Sequence, residues 1–574
     1  MTGTSLRQYP HYGLLGVGFG PSHLSLAAVC DSTRASSVRA RLHCLEARPA
    51  FSWHPDMLLD GTRMQIAFLK DLVSPQDPTS PFSFTNYLVG KGRLEQFLNL
   101  GTLHPTRREY ADYFGWAADR LAHHVSYGHL VEGVRPVTGA DGGVTHLEVD
   151  YRDITGDKHT IAADHVSLAP GGRPVVPAGV ERDALDSGVT FHSSTFLPSI
   201  DRFHQRGHDL PHRFLVVGAG QSAAEVFRYL AREFPYADIT LAHRGFALVP
   251  ANSSPLANEI FDPASVDLFH AADATRRHTI LTELRTTNYA AVDDEDIRAI
   301  AELLYDQRVR GEDRLRLCRF TELAACRADG PTALVTLRAP SSGQALTSRF
   351  DAVVLATGYD FREAGDLLTG LEPLLLRAPD GTLRIRRDYS VETTANCRPR
   401  IFLHGAAEHS HGLSSTLLSV LAHRSARILD SVFGPPPRSG RPQTTSPLRR
   451  PRRSRRVSST PIQRRADAAT TQEYGCDFRR ILPWGSTGPS EAGMGVCTVA
   501  PAATTTPHSH ADHEHFYVVR GTGLLHLDGE STAIGPGDAF VVDSHRRHHF
   551  ENTSAEEELE MVSVWSMGPF GAAR

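Results

Sequence analysis

Two glycine-rich turns, each set between an apolar run and a helical one, constrain this chain more than any other feature. The first is Gly16-Val17-Gly18-Phe19-Gly20-Pro21, after the run Tyr12 to Leu15 and before Leu24-Ser25-Leu26-Ala27-Ala28. The second is Gly218-Ala219-Gly220-Gln221-Ser222-Ala223, after Phe214-Leu215-Val216-Val217. In a strand–turn–helix setting the glycines let a phosphate approach backbone N–H groups at a helix N-terminus. One such fingerprint points to one dinucleotide. Two in one chain point to a pair, so that electrons pass from a nicotinamide to a flavin.

The residues flanking each fingerprint refine this. After the first, Leu42-His43-Cys44-Leu45 reads as a strand ending in Glu46, where a carboxylate can accept hydrogen bonds from ribose hydroxyls. Pro21 replaces the third glycine, and proline is tolerated in a first helical turn. After the second, Asp238-Ile239-Thr240-Leu241-Ala242-His243 ends in Arg244. An arginine there can neutralise a 2′-phosphate, which favours NADPH over NADH. A third apolar run, Asp351 to Ala356, ends in Thr357-Gly358-Tyr359 and is read as the return from a nucleotide-binding insertion.

With 574 residues the chain exceeds one domain, and its 40% hydrophobic and 22% charged content fits a soluble globular protein. A net charge of -5 argues against a nucleic-acid binder. No apolar run is long enough to span a membrane, and the N-terminus lacks a signal-peptide layout. The seven cysteines are scattered singly and read as small buried residues. These features together predict a cytoplasmic protein. A disulfide reductase also uses two nucleotide folds, but it needs a close cysteine pair such as C-x-x-C, which this sequence lacks.

From Gly434 to about Thr471 the composition shifts to Pro, Ser, Thr and Arg with almost no apolar residues, which predicts a disordered basic linker. Before it, strand and helix patterns alternate. After it, short strands alternate with Gly, Pro and Asp turns, which predicts an all-β barrel or sandwich. The fold class expected is therefore α/β, with two Rossmann-like domains followed by a β barrel. The expected divisions are a first dinucleotide domain over 1–205, a second over 206–350, a return segment over 351–433, the linker over 434–471 and the β domain over 472–574.

Several segments carry a specific resemblance. They are Phe51-Ser52-Trp53-His54-Pro55, Met64-Gln65-Ile66-Ala67-Phe68-Leu69-Lys70-Asp71, Asp77-Pro78-Thr79-Ser80-Pro81, Asn258-Glu259-Ile260-Phe261, Thr287-Asn288-Tyr289 and His411-Gly412-Leu413-Ser414. Over roughly residues 10 to 433 the chain resembles the microbial N-hydroxylating flavoprotein monooxygenases, the ornithine N5- and lysine N6-hydroxylases of hydroxamate siderophore pathways. Asp77 to Pro81 with Gly92-Arg93-Leu94 looks more like the ornithine branch. The resemblance implies FAD, NADPH and O2, a C4a-hydroperoxyflavin, and attack on it by the neutral side-chain amine of a diamino acid. It also implies a homo-oligomer, relatives often being tetramers.

The resemblance further implies roles. Lys70 would meet the substrate carboxylate, Asn258 would hold the amino-acid end, and Asn288 would lie between NADP⁺ and the amine. Gln65 would sit beside the flavin, and Ser414 in a segment closing over substrate and flavin. Trp53 and His54 belong with the cofactor-binding set, as do Gly16, Gly18, Gly20, Gly218, Gly220, Gln221 and Ser222. Ser415 stands where many relatives have Asp.

The segment His508-Ser509-His510-Ala511-Asp512-His513-Glu514-His515 opens a second resemblance. Alternate residues of a strand face one side, so His508 and His510 can reach one metal. The spacing H-x-H-x3-E-x6-G, ending at Gly521, resembles the first motif of the cupin barrel. Gly537 through Asp543, His545, His548 and Asn552 resembles the second, with Asp543 where proline is expected and His545 where glycine is. The implied ligands are His508, His510, Glu514 and His548, a set that suits Fe, Mn, Ni or Zn. His513, His515 and His549 are read as outward-facing or supporting.

Together these readings predict an amine N-hydroxylase whose cupin acts further on the hydroxylamine, joining it to a second amine or amino acid to make an N–N bond. Two alternatives stand beside this: a cupin that regulates or merely binds, and a siderophore enzyme with an incidental fusion.

Overall fold

The computed structural model describes residues 10–361, 365–436, 468–482 and 492–566. The chain forms two compact units, 1–442 and 443–574. Most of the expected linker, residues 437–467, lies outside the described residues.

The first unit begins with β1 (His11–Val17), α1 (Pro21–Thr33) and β2 (Leu42–Glu46), followed by α2 (Arg107–Arg120). Next come β3 (Val125–Tyr127), β4 (Leu130–Thr138), β5 (Val144–Arg152) and β6 (Lys158–Leu168). The strand order is β3-β2-β1-β6-β5-β4. β1 runs parallel to both β2 and β6, and its Leu14 and Leu15 are fully buried. This explains why the run before the first fingerprint is continuously apolar: a parallel strand is covered on both faces.

A second sheet holds β7 (Thr190–His192), β8 (Arg213–Val217), β9 (Asp238–Ala242), β10 (Leu315–Cys318) and β11 (Ala352–Leu355). Its order is β10-β9-β8-β11-β7, parallel throughout. Helix α3 (Gln221–Glu233) follows β8, and α4 (Asp294–Val309) packs nearby. The expected division at 206 and 350 differs from this sheet. β11 pairs with β8 and β7, so the strand before Thr357 belongs to the second sheet and is not yet the return. β7 joins from before residue 206 because its three residues complete the edge beside β11.

The chain crosses between the sheets at two adjacent points. Arg173–Pro174 pairs antiparallel with Tyr359–Asp360, and Val175 N donates to the Gly358 carbonyl at 3.0 Å. Beyond the crossing, β12 (Ile401–Leu403) returns to the first sheet beside β6, and α5 (Leu421–Phe433) packs on α1, with the Ser425 and Ser25 hydroxyls 3.1 Å apart.

The second unit is antiparallel. It contains β13 (Thr470–Glu473), β14 (Cys476–Leu482), β15 (Ala492–Val499), β16 (His513–Arg520) and β17 (Gly523–Leu527). β18 (Glu530–Ile534), β19 (Ala539–Val542), β20 (His548–Asn552) and β21 (Leu559–Ser566) complete it. One sheet has the order β13-β14-β15-β21-β16-β19 and the other β18-β17-β20. Val518, Leu525, Phe550 and Met561 form one core between them. The strands start at Thr470, slightly before the expected boundary.

Candidate functional site

The first fingerprint forms an open cradle. Gly18 has φ +86°, and a Cβ there would lie 2.5 Å from the Ala169 carbonyl oxygen, so only glycine fits. Gly20 caps α1 without any side-chain hydrogen bond, Pro21 is the first helical residue, and a Cβ on Gly20 would meet nothing within 4 Å. The helix therefore presents unsatisfied N–H groups to open space, which suits a phosphate. Gly16 lies against Cys44 and His23. Glu46 ends β2 as expected, and its carboxylate accepts from Phe19 N at 2.6 Å and Arg48 N at 2.9 Å. These bonds fix it beside the cradle with lone pairs to spare.

Beneath the cradle lies a buried chain of hydrogen bonds that the motifs did not reveal. His23 Nδ1 is 2.6 Å from the Gly18 carbonyl oxygen, and its Nε2 is 2.8 Å from Ser167 Oγ. Ser167 Oγ is in turn 2.9 Å from His404 Nε2. Burial holds the His23 imidazole down to about 4, and burial with the nearby Arg424 charge pushes His404 well below the usual range. Both are neutral at physiological pH.

The second fingerprint is tighter. Gly218 has φ +154°, and a Cβ there would sit 2.3 Å from the Ala356 carbonyl oxygen. Gly220 caps α3, again without a side-chain bond, and faces Ala290 Cα. Gln221 turns inward: it donates to Glu225 and Asp296 and accepts from Asp293 N at 2.9 Å. Ser222 follows half-buried on α3. Arg244 lies just past β9, exposed and without an ion pair among the described residues, so its charge is free for a ligand. Thr357, Gly358 and Tyr359 lie at the crossing between sheets, where Tyr359 packs edge-on against His192 and His54. His54 itself is left-handed at φ 44°, and Trp53 packs edge-on against Phe114.

The loop that carries Lys70 is pinned by a residue sequence reasoning passed over. Asp71, 3% exposed, accepts from the backbone N–H of Val73, Ser74 and Phe84 and from the Ser74 hydroxyl. Lys70 is half-buried, and its ammonium has no carboxylate partner among the described residues. Gln65 Nε2 donates to Asp293 Oδ1 at 3.0 Å, which ties this loop to the second fingerprint through Gln221.

Asn258 Nδ2 donates to the Ser253 carbonyl at 3.2 Å. Asn288 is half-buried two residues before Ala290, which touches Gly220. Its neighbour Tyr289 donates to Glu408, whose carboxyl is raised by burial. Ser414 is buried, and the adjacent Ser415 carbonyl accepts from Arg424 Nη1 at 2.6 Å. The other Arg424 nitrogen donates to Ser22 Oγ at 3.2 Å, joining this segment to the start of α1. Among the described residues no hydrogen bond joins Lys70, Asn258 and Asn288 to one another. The Gln65–Asp293 bond links the Lys70 loop to the stretch after Asn288, and Asn252 N donates to the Thr286 carbonyl at 3.2 Å, linking the stretch before Asn258 to the one before Asn288.

In the second unit, His508, His510 and His548 offer ring nitrogens that all lie within 4.8 Å of one another. His508 bridges to His548 through two backbone hydrogen bonds of 3.1 and 2.9 Å. Their Nδ1 atoms face the carbonyl oxygens of Thr506 and Arg546 at 2.9 and 3.0 Å, which fixes the tautomer and leaves Nε2 for a metal. Glu514 Oε2 is 3.2 Å from His510 and 3.7 Å from His548. Burial pushes the Glu514 carboxyl up, but the facing His510 and His548 imidazoles and the Ser563 hydroxyl, which donates to it at 2.9 Å, override this and hold it down at about 2. The donor set fits a divalent cation.

His545 adopts φ 63°, which explains why a glycine is expected at that position. His513 pairs with Asp543 at 3.4 Å, and His549 stacks on His526, so neither needs to reach the cluster.

A mixed sheet whose β1, β2 and β6 run parallel and a second sheet parallel throughout, joined by a paired crossing, with a histidine-bearing antiparallel unit later in the chain, define a two-nucleotide flavoprotein oxidoreductase frame carrying a cupin. Residues 10–361 match the family described as L-lysine 6-monooxygenase/L-ornithine 5-monooxygenase, and residues 495–565 match the cupin domain. The chain is 43% identical over 406 residues to the L-ornithine N(5)-monooxygenase of Burkholderia cepacia, covering 70% of this chain and 90% of that one. The ornithine N-hydroxylase of Kutzneria sp. 744, solved with reduced FAD, NADP+ and L-ornithine, superposes with a TM-score of 0.69 at 37% identity, over 74% of this chain and 99% of that one. The L-lysine 6-monooxygenase of Pseudomonas syringae gives 0.63 at 33%, over 74% and 99%. The chain belongs to the lysine/ornithine N-monooxygenase family.

Proposed function

We propose that the first unit hydroxylates N5 of L-ornithine, with FAD in the first cradle and NADPH in the second. FAD supplies the oxygen-activating chemistry when bound. The observation that carries the reading is Lys70: a half-buried ammonium with no carboxylate partner among the described residues, held by the Asp71 pin, in a chain similar to ornithine hydroxylases. Lys70 would bind the substrate carboxylate, Asn258 and Asn288 would orient the amino-acid and amine ends, and Gln65 would hold the loop against the second fold. Arg244 would receive the 2′-phosphate. The segment around Ser414 would exclude water.

The full chain, incubated with NADPH, O2 and either ornithine or lysine, is expected to yield hydroxylamine from ornithine preferentially, read by mass spectrometry. Absence of hydroxylamine from both amines overturns the reading.

The cupin would take a divalent metal at His508, His510, Glu514 and His548 and join the hydroxylamine to a second amine. The amine nitrogen forms a bond to the hydroxylamine nitrogen, the N–O bond breaks, and the hydroxyl leaves with one amine proton as water, giving a hydrazine. A His508→Ala/His510→Ala variant should still release hydroxylamine while losing any coupled product. Altered hydroxylation kinetics with no coupled product in the wild type would favour a regulatory cupin instead.

A further inference from the structure

By sequence every cysteine reads as a small buried residue, and for two of them the structure shows more. Cys476 opens β14, Cys497 lies on β15, and their sulfurs are 3.0 Å apart, the one such thiol–thiol contact among the described residues. Phe478 is the direct cross-strand partner of Cys497, so Cys476 sits diagonally, on the same face of the pair. Their exposures are 7% and 4%. To reach a bonded separation of about 2 Å the two sulfurs must close by roughly 1 Å.

The pair stands beside the histidine cluster. Cys476 follows a two-residue turn, Tyr474-Gly475, in which both residues have positive φ, 50° and 82°. This is the tight hairpin geometry that joins β13 to β14. At its tip the Tyr474 ring stacks on His508 with 3.6 Å between centroids and 2° between planes. Thr506 N donates to the Tyr474 carbonyl at 2.6 Å. β13 is an edge strand with β14 as its sole neighbour in the sheet. Tyr474 therefore covers one histidine of the cluster from a hairpin anchored mainly through β14.

We propose that Cys476 and Cys497 form a reversible disulfide, made by a peroxide, that locks the Tyr474 hairpin over His508. The Cys476 sulfur attacks one peroxide oxygen, giving a sulfenic acid and water. The Cys497 sulfur then attacks the sulfenic sulfur, releasing a second water: two thiols are oxidised and one H2O2 is reduced. The Cys497 thiol donates to the Cys476 sulfur and draws the Cys476 thiol below its ordinary range, which favours attack from Cys476. A source of H2O2 in the same chain, reduced flavin meeting O2 without amine, rests on the function proposed above. The thiol chemistry does not.

The test uses the full chain, reduced and desalted, then treated with H2O2 and mapped as peptides after alkylation. A cross-linked peptide joining Cys476 to Cys497, about 2 Da lighter than the two thiols, is expected. Amide exchange over residues 470–482 is expected to slow about tenfold on oxidation. Neither change should occur in Cys476→Ser or Cys497→Ser, and the reduced wild type controls for any effect of these substitutions on folding. Both cysteines remaining alkylatable after peroxide overturns the disulfide. A cross-link without slower exchange overturns the lock. In a second arm, NADPH, FAD and O2 without amine replace added peroxide. A cross-link that catalase prevents supports the internal source, and its absence, where added peroxide succeeds, rejects that source alone.

Discussion

Arg107 and Glu225 meet in a two-pronged ion pair, Nη2 to Oε1 at 2.6 Å and Nη1 to Oε2 at 2.8 Å, across the junction of the two dinucleotide-binding folds. Glu225 is almost wholly buried on α3, and Arg107 starts α2. Arg107→Met leaves a buried carboxylate unpaired, at a cost of about 3–5 kcal/mol. Chemical denaturation should show that loss, whereas a change below about 1 kcal/mol would mean water takes over the pairing.

Gly18→Ala and Gly20→Ala should separate folding from binding. The first forces a Cβ to 2.5 Å from a carbonyl at φ +86°, so soluble protein should be scarce or destabilised. The second points its methyl into open space, so thermal stability without cofactor should hold while FAD affinity falls about tenfold or more. Equal FAD affinity in Gly20→Ala would place the pyrophosphate elsewhere.

The buried His23 predicts an acid limit. Its pKa is about 4 when folded and 6.5 ordinarily, so the unfolded chain binds the extra proton first. The resulting stability is complete above pH 6.5 and is lost as pH falls toward 4, by up to about 3 kcal/mol. His404 adds in the same direction. Urea midpoints from pH 7 to 4.5 should show this slope in the wild type and a shallower one in His23→Gln.

Lys70→Met should raise the KM for ornithine by about two orders of magnitude, corresponding to the loss of a charge pair worth roughly 2–5 kcal/mol. NADPH oxidation without ornithine should continue. An unchanged KM would remove Lys70 from the carboxylate site.

Metal should stabilise the C-terminal unit by mass action. Zn2+ or Ni2+ should raise its melting temperature, EDTA should reverse the effect, and His548→Ala should abolish it. An equal rise in His548→Ala would locate the metal outside the cluster.

Motif and spacing made much of this architecture legible. Gly16, Gly18 and Gly218 sit where left-handed turns or close approaches demand them, and the spacing from His508 to Glu514 anticipated a real cluster. Short or purely structural features were hidden. Thr190–His192 is too brief to announce itself, yet it completes the second sheet beside β11. Asp71 reads as one carboxylate among many until four donors converge on it. His23, Ser167 and His404 are spread over most of the first unit and carry no periodic signal. Tyr474-Gly475 did carry one, a two-residue turn with glycine second between strand-like runs, but its importance depends on His508 lying beneath it.

The paired crossing at Arg173–Pro174 and Tyr359–Asp360 makes the second sheet a cassette: its entrance and exit are neighbours, so it can be removed or exchanged without breaking the strand order of the first. Closing the gap with a short linker between residues near 172 and 361 should leave a self-contained fold around the first cradle, one that still holds its own nucleotide but receives no hydride.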